Sequence, residues 1–445
     1  MSAAPRAADI KILMRYKMKK LLTLLIMISL LTVFVISCNN DDNDDKITGQ
    51  MFEITSPYDA LNWENYGQYK AALHVHTTNS DGGGSMQTVV DMHYNNGYDI
   101  LAITDHVWKR DPNEVDMYLN LYTKTWTEVQ AGNVWNTHAL THLSQERFDQ
   151  VTAGEGRDGR GLLMIPYSAE FAHPGGEEMN VFFYGSPAAP PPNAPAAWTM
   201  SIANGMSNAV SHNAVFFINH PGRTTNAQNF TGSATASNNP SNQRNWINKY
   251  VDLYMTYSSN NLVGMEIFNR LDQDSRHDRV LWDNVLTETV PRGRFVWGYG
   301  NDDLHNTSIQ INYNMMIMPA NTTENFRSAM INGHSYAVTV RAYNEAAAYN
   351  EPHLATLTHT STIPRPVIKS VLVDHKNDTI TINAENATKI VWISEGDAIL
   401  IDNGNSSSIN IGKKEVRLLV GSYIRANIIG PGGMAVIQPI GTKRK

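Results

Sequence analysis

Residues 71–82 read Ala71-Ala72-Leu73-His74-Val75-His76-Thr77-Thr78-Asn79-Ser80-Asp81-Gly82, an apolar lead-in followed by a polar run. The lead-in predicts the end of a strand that opens into a loop. Side chains alternate faces along a strand, so His74 and His76 point the same way and present two imidazoles to one point. Neutral imidazoles suit zinc, manganese or iron, and Asp81 can fold back from the loop to add a carboxylate. A bare His-x-His at a strand end is more often an ordinary pair of histidines, so the metal reading depends on the rest of the chain.

Working outward, Ser85 is placed to cap a helix with Met86, Val89, Val90 and Tyr94 on one face and Gly97 at its end. His93 in that helix, and His277 in a later one, read as exposed positions. A buried strand, Ile100 to Ile103, follows and ends in Thr104-Asp105-His106. The pattern recurs. Leu162 to Tyr167 leads to Glu170, Val181 to Tyr184 follows Asn180, and Val215 to Ile218 runs into Asn219-His220-Pro221. Val263 to Phe268 contains Glu266 and runs into Asn269-Arg270, and Phe295 to Tyr299 runs into Asp302-Asp303-Leu304-His305.

Alternating strands and helices predict a parallel sheet with crossover helices, and seven such strands counted from Leu73 predict a closed or nearly closed barrel. In a closed barrel the last strand returns beside the first. Asp303 and His305 would then face the His74-x-His76 pair, with Leu304 pointing the other way. Metal-type side chains at the C-terminal ends of successive strands point to a site at the barrel mouth. His74, His76, Asp81, His106, Glu170, His220, Asp303 and His305 are more ligands than one ion can use, so two or three divalent ions (Zn, Mn or Fe) are expected. Such clusters serve in-line displacement at phosphorus. Glu266, inside its strand, is expected to support a ligand or the barrel wall. Arg223 and Arg270 can either clamp phosphate oxygens at the mouth or form surface salt bridges.

This series resembles the four motifs of the polymerase and histidinol phosphatase (PHP) superfamily: His74-x-His76 with Ser80-Asp81-Gly82, Thr104-Asp105-His106, Glu170, Asn219-His220-Pro221, and Gly300 followed by Asp303-x-His305. It covers about residues 69–340. The resemblance implies a distorted (β/α)7 TIM-like barrel with a trinuclear metal site and carries over as ligands the eight residues just named, with Asp105 orienting a ligand. Asp303 and His305 would also act in catalysis, and Asp105, Arg223 and Arg270 are carried as further catalytic candidates. One departure stands out. Where many relatives place a histidine, this chain has Glu178-Met179-Asn180, so Glu178 substitutes as a ligand, His173 reaches in, or one metal is weak or absent.

Composition bounds the rest. A chain of 445 residues that is 42% hydrophobic and 17% charged is ordinary for a globular protein, and a net charge of −7 argues against a nucleic-acid-binding surface. The single cysteine, Cys38, excludes an intramolecular disulfide. Lys17, Lys19 and Lys20 precede an apolar run from Leu21 to Ile36, so residues 1–37 read as a signal peptide. The residues before Cys38 resemble a bacterial lipobox. Residues 38–50 then form an acylated, acidic tether that looks like the surface-export signal of Bacteroidetes lipoproteins. Residues 51–360 are assigned to the barrel, with an insertion at 108–160 expected near the mouth. Residues 361–445 are read as a small C-terminal β-sandwich with strands that include Glu415 to Val420. The expected function is a metal-dependent hydrolase that cleaves a small phosphorylated substrate with metal-activated hydroxide, exported as a lipoprotein and anchored through Cys38 at the outer membrane. The alternatives are an amide or ester hydrolase with the same metal chemistry, and a non-catalytic surface lipoprotein that binds glycan.

Overall fold

The computed structural model describes residues 50–107, 143–165, 167–173, 175–184, 201–270, 275–306, 311–358 and 362–445. The expected signal peptide, Cys38, the acidic run after it and residues 108–142 of the expected insertion lie outside these. None of the helices among the described residues is long and apolar enough to cross a membrane.

The strands in the first part of the chain are β1 (Phe52–Thr55), β2 (Gly67–Ala72), β3 (Ile100–Leu101), β4 (His106–Val107), β5 (Leu163–Met164), β6 (Ala169–Ala172), β7 (Glu178–Phe182), β8 (Val215–Ile218), β9 (Leu262–Asn269), β10 (Trp297–Asn301), β11 (Asn312–Met318) and β12 (Ser335–Thr339). They do not close into a barrel. One sheet carries β2, β3 and β5 in parallel, and a second runs β10-β9-β8-β7-β6-β4. Two features break the expected ring. Only five residues, 173–177, separate β6 from β7, too few for a helical crossover, so the pair is an antiparallel hairpin through the left-handed Gly175 and Gly176. β7 is also antiparallel to β8. The other edge of β2 is taken by β11, which pairs antiparallel with it, so β10 cannot dock there in register.

The return of the last strand to the first survives in reduced form. Val75 and Leu304 make an isolated parallel bridge, with His76 N–H donating to Leu304 O at 3.0 Å and Leu304 N–H to His74 O at 3.2 Å. The Leu304 side chain is buried with Val75, Met86 and Ile103, on the side away from Asp303 and His305.

Helices cover the sheets as their spacing requires. Ser85 caps the helix Met86–Asn95 by accepting from Thr88 N–H, and Met86, Val89, Val90 and Tyr94 are buried. His93 is buried as well, contrary to expectation: it continues the same stripe three residues beyond Val90, and its Nδ1 lies 2.8 Å from Val89 O. His277 is likewise buried, beside Asn239. The described part of the insertion packs on the helix Met86–Asn95, with Arg147 Nε 2.6 Å from Asp91 Oδ1. Its helix, Gln145–Ala153, leads to Arg157 and Arg160, which bind Asp99 just ahead of β3, at the N-terminal end of that strand.

The C-terminal region is β-rich: β13 (Val367–Asp374), β14 (Thr379–Glu385), β15 (Lys389–Ser394), β16 (Asp397–Asn403), β17 (Ser406–Asn410), β18 (Tyr423–Gly430), β19 (Gly433–Ile437) and β20 (Ile440–Arg444). Glu415 to Val420 is not a strand. It begins as a short helix, Lys414–Arg417, and Leu418 and Leu419 are both exposed, so the alternation a half-buried strand needs is missing. β13, β14 and β17 form a separate three-stranded sheet, and their apolar faces pack on those of β15, β18 and β19. The second layer is continuous with the first part of the chain, because β19 pairs with β12 and β20 with β1.

A buried ion pair fastens this region to the helix Ser275–Thr289. Arg425 on β18 binds both Asp283 oxygens at 2.8 and 2.7 Å, and Tyr423 Oη donates to the same carboxylate at 2.7 Å. Removing one partner of a buried pair strands the other without water. Asp283→Ala should therefore lower unfolding stability by about 3–5 kcal/mol in urea titrations, with the site residues otherwise in place. A loss within 1 kcal/mol would show that Arg425 finds water or a new partner.

Candidate metal centre

The site residues sit at or near strand ends. His74 and His76 follow β2, His106 opens β4, and Glu170 and Glu178 lie on the two strands of the β6–β7 hairpin, opposite Asn180 and Ala172. His220, Arg270 and Asp303 follow β8, β9 and β10, and all three have positive φ, at 21°, 46° and 46°. Such backbones are uncommon outside glycine and cost free energy; here they turn three side chains toward one opening.

The loop after His76 is held from beneath. Gly82 approaches the backbone so closely that a Cβ would lie 2.5 Å from His76 C, and its N–H bonds to Thr77 O. Asp105 accepts from Thr77 N–H, Thr77 Oγ1 and Ser80 Oγ, each at 2.7 Å. Its carboxylate is thus engaged by the loop that carries Asp81. Asp105 therefore orients this loop.

Among the described residues four groups of potential ligand atoms result: His76, Asp81, His106 and His305; His74, His76, Glu170 and Asp303; His106, Glu170 and Glu178; and His74, His220 and Glu266. Glu170 Oε2 is central, at 3.2 Å from His74 Nε2, 3.1 Å from His76 Nε2 and 3.4 Å from His106 Nδ1. Asp303 Oδ1 lies 3.3 and 3.4 Å from the same nitrogens of His74 and His76. Asp81 reaches His305 Nε2 at 3.1 Å and His106 Nε2 at 3.6 Å. Glu178 Oε2 lies 3.2 Å from His220 Nε2. His173, by contrast, belongs to none of these groups; its ring packs on Gly205, where a Cβ would be 2.2 Å away. Of the two candidates for the departing position, the fold brings in Glu178.

Glu266 is the residue sequence reasoning placed only loosely. Its oxygens accept from His74 Nδ1 at 2.8 Å, Asn301 Nδ2 at 2.9 Å, His220 N–H at 2.9 Å and Asn269 Nδ2 at 2.8 Å. All its lone-pair directions are used, so it works as an orienting partner. By taking the Nδ1 proton it leaves His74 Nε2 bare toward Glu170 and Asp303. Asn219 does a similar service for Glu170, donating to Oε1 at 2.6 Å. Asn180, Asn219, Asn269 and Asn301 stand beside motif residues in the sequence, but an asparagine's partners are not legible from its neighbours.

The residues fit divalent cations. His74 Nε2, His76 Nε2 and both ring nitrogens of His220 are buried without a hydrogen-bond partner, which imidazoles avoid unless something else accepts the lone pair. Electrostatics agree. Burial opposes charge on His74, yet Glu170, Asp303 and Glu266 raise it well above the usual histidine range. Burial likewise opposes the charge on His106, and Glu170 and Asp81 bring it up to about 9. Against their own burial, Glu170 and Asp303 are pulled well below the carboxylate range by the surrounding histidines. The carboxylates thus favour positive charge within the pocket, which divalent cations would supply.

At the rim, Arg223 and Arg270 converge on one atom, Asp303 Oδ2, Arg270 through Nε at 3.0 Å. Arg223 also donates to Asn269 Oδ1 at 2.9 Å, and Arg270 Nη2 lies 2.9 Å from His305 Nδ1. Both guanidiniums remain partly exposed, at 27% and 45%.

No protein-family model matches the chain, and no curated protein sequence matches it. Among solved structures it is similar to a two-domain protein from Bacteroides vulgatus containing a predicted PHP-like metal-dependent phosphoesterase, at 14% identity and TM-score 0.41, over 88% of this chain and 91% of that one. It is also similar to PsfC from Pseudomonas syringae, at 13% identity and TM-score 0.31, over 59% of this chain and 88% of that one.

The Glu266 arrangement makes a specific expectation. Glutamine keeps the shape but must turn an NH2 toward two donors, which loosens either His74 and Asn301 or His220 and Asn269. Glu266→Gln should weaken metal affinity roughly 10–100-fold while retaining wild-type stoichiometry at saturating metal, as measured by competition with a chromogenic chelator. Loss of a full equivalent at saturation would make Glu266 a ligand.

Proposed function

We propose that the protein is a metal-dependent phosphoesterase of the PHP kind that hydrolyses a small phosphorylated substrate, exported and anchored through a lipid on Cys38 at the outer membrane. The observation that carries the catalytic reading is Asp303, whose Oδ1 faces His74 and His76 in the anionic cluster while Oδ2 receives both rim guanidiniums. His74, His76, Asp81, His106, Glu170, Glu178, His220, Asp303 and His305 would hold two or three divalent ions, Zn, Mn or Fe. When bound, such ions polarise a phosphoryl oxygen and make water nucleophilic near neutral pH.

The chain's own residues supply the rest. Arg223 bonds to Asp303 and Asn269 through Nη2, which leaves its Nε and Nη1 donors to meet oxygens of an entering phosphate. Arg270 is fixed beside it by the same carboxylate, so the two cations are positioned before substrate arrives. Asp303 is held ionised by its neighbours and is a poor proton acceptor; it anchors the arginines and the cluster together. Paired guanidiniums at the mouth suit an anionic ester and have no evident use in amide or carboxylic-ester hydrolysis, which is why phosphate is favoured over those alternatives.

The test combines metal analysis with hydrolysis of p-nitrophenyl phosphate and bis-p-nitrophenyl phosphate. At least two equivalents of divalent metal and turnover of one ester are expected. Asp303→Asn should keep the fold by circular dichroism, weaken metal binding and lower turnover on the order of a hundredfold or more. Wild-type turnover and metal content in that variant would overturn the role given to Asp303, and hydrolysis of neither ester would remove the phosphoesterase reading.

A further inference from the structure

We infer that the centre is chemically uneven. The pocket bounded by Glu170, Glu178 and His220 takes a harder, oxygen-preferring ion such as Mn²⁺, while that of His76, Asp81, His106 and His305 takes a nitrogen-preferring ion such as Zn²⁺. The inference rests on the metal reading above and adds a division of labour within it.

Donor composition is the basis. The group His76, Asp81, His106 and His305 contains three imidazoles and one carboxylate, and the rings crowd together, with His76 centred 4.7 Å from His106 and 4.2 Å from His305. On the other side, His220 Nε2 lies 3.2 Å from Glu178 Oε2 and 3.6 Å from Glu170 Oε1. His106 stands between the pockets, Nε2 toward Asp81 at 3.6 Å and Nδ1 toward Glu170 at 3.4 Å. A neutral imidazole has one free lone pair, so His106 serves one pocket at a time. His76, with Nδ1 3.5 Å from Asp81 Oδ1 and Nε2 toward Glu170 and Asp303, obeys the same rule; with His106 and His305 the first pocket keeps at least two imidazoles and one carboxylate. When His106 serves the first, the second has two carboxylates and a single imidazole. His173 cannot restore a nitrogen there, because its ring is packed on Gly205.

Carboxylate oxygens favour manganese and magnesium relative to what imidazole offers zinc, although every such site binds zinc more tightly in absolute terms. The unevenness is therefore one of ratios. Glu178 is 19% exposed, which admits the water that hard ions retain in their shells. The single residue that sets the difference is Glu178, and a histidine in its place would make the two pockets alike.

The experiment uses the full chain stripped of metal and titrated with Zn²⁺ and Mn²⁺ together. Bound metals are counted by elemental analysis, and bound Mn²⁺ is read by electron paramagnetic resonance. With Mn²⁺ in large excess over Zn²⁺, the wild type should hold Zn²⁺ in one pocket while retaining Mn²⁺ in the other. Glu178→His should lower the Mn²⁺-to-Zn²⁺ affinity ratio of the second pocket on the order of tenfold. Glu178→Gln, which keeps shape and an oxygen donor but removes the charge, should weaken Mn²⁺ and spare the first Zn²⁺; it decides the matter should the histidine variant not fold. An unchanged ratio in Glu178→His, or unchanged Mn²⁺ binding in Glu178→Gln, would overturn the inference while leaving the metal centre standing. A wild type that binds neither ion would overturn the metal-centre reading itself.

Discussion

The carboxylate of Glu266 is the constraint on which the site depends. Buried inside β9, it accepts four hydrogen bonds from residues of four strand ends: His74 after β2, His220 after β8, Asn269 at the end of β9 and Asn301 at the end of β10. A buried charge with fewer partners would be costly, so the four donors and the carboxylate specify one another's positions. The result is directional. His74 is left with a bare Nε2 aimed at Glu170 and Asp303, and His220 is held in a left-handed backbone it would otherwise avoid.

Around that point the structure concentrates like charge and then offsets it at the edges. Glu170, Glu178, Asp81 and Asp303 share one opening with five imidazoles, and two guanidiniums approach from the rim. Carboxylates this close repel one another unless cations lie between them. The cost is borne by a rigid frame, in which buried Phe216, Phe217, Ile218, Met265 and Ile267 make β8 and β9 unable to yield. The β-rich C-terminal region strengthens the same frame. Gln438 bonds to both the N–H and C=O of Gly298 on β10, at 2.7 and 2.9 Å. Its strands thus brace the strand that delivers Asp303.

What the sequence determined by itself was local and periodic. The alternation of residues 73–76 puts His74 and His76 on one face, and Leu304 separates Asp303 from His305 by the same rule. The recurring polar residues after apolar runs mark the strand ends that the fold brings together. The same reasoning could see that Glu266 lies within a strand, where it is fully buried.

Only the tertiary structure decided what depends on pairing between distant segments. An apolar run reads alike whether its neighbour is parallel or antiparallel, so the hairpin of β6 and β7 and the capture of β2 by β11 turned an expected barrel into two sheets. The same hairpin decided between Glu178 and His173, because β7 places Glu178 opposite Ala172 at the mouth while His173 turns into the helix Ile202–Ser211. Asp105 and Glu266 are both acidic residues beside motif histidines, yet each is filled by donors, which no spacing along the chain reveals. Periodicity acts through neighbouring residues, whereas a carboxylate's role is set by which donors, tens or hundreds of residues away, reach its lone pairs first.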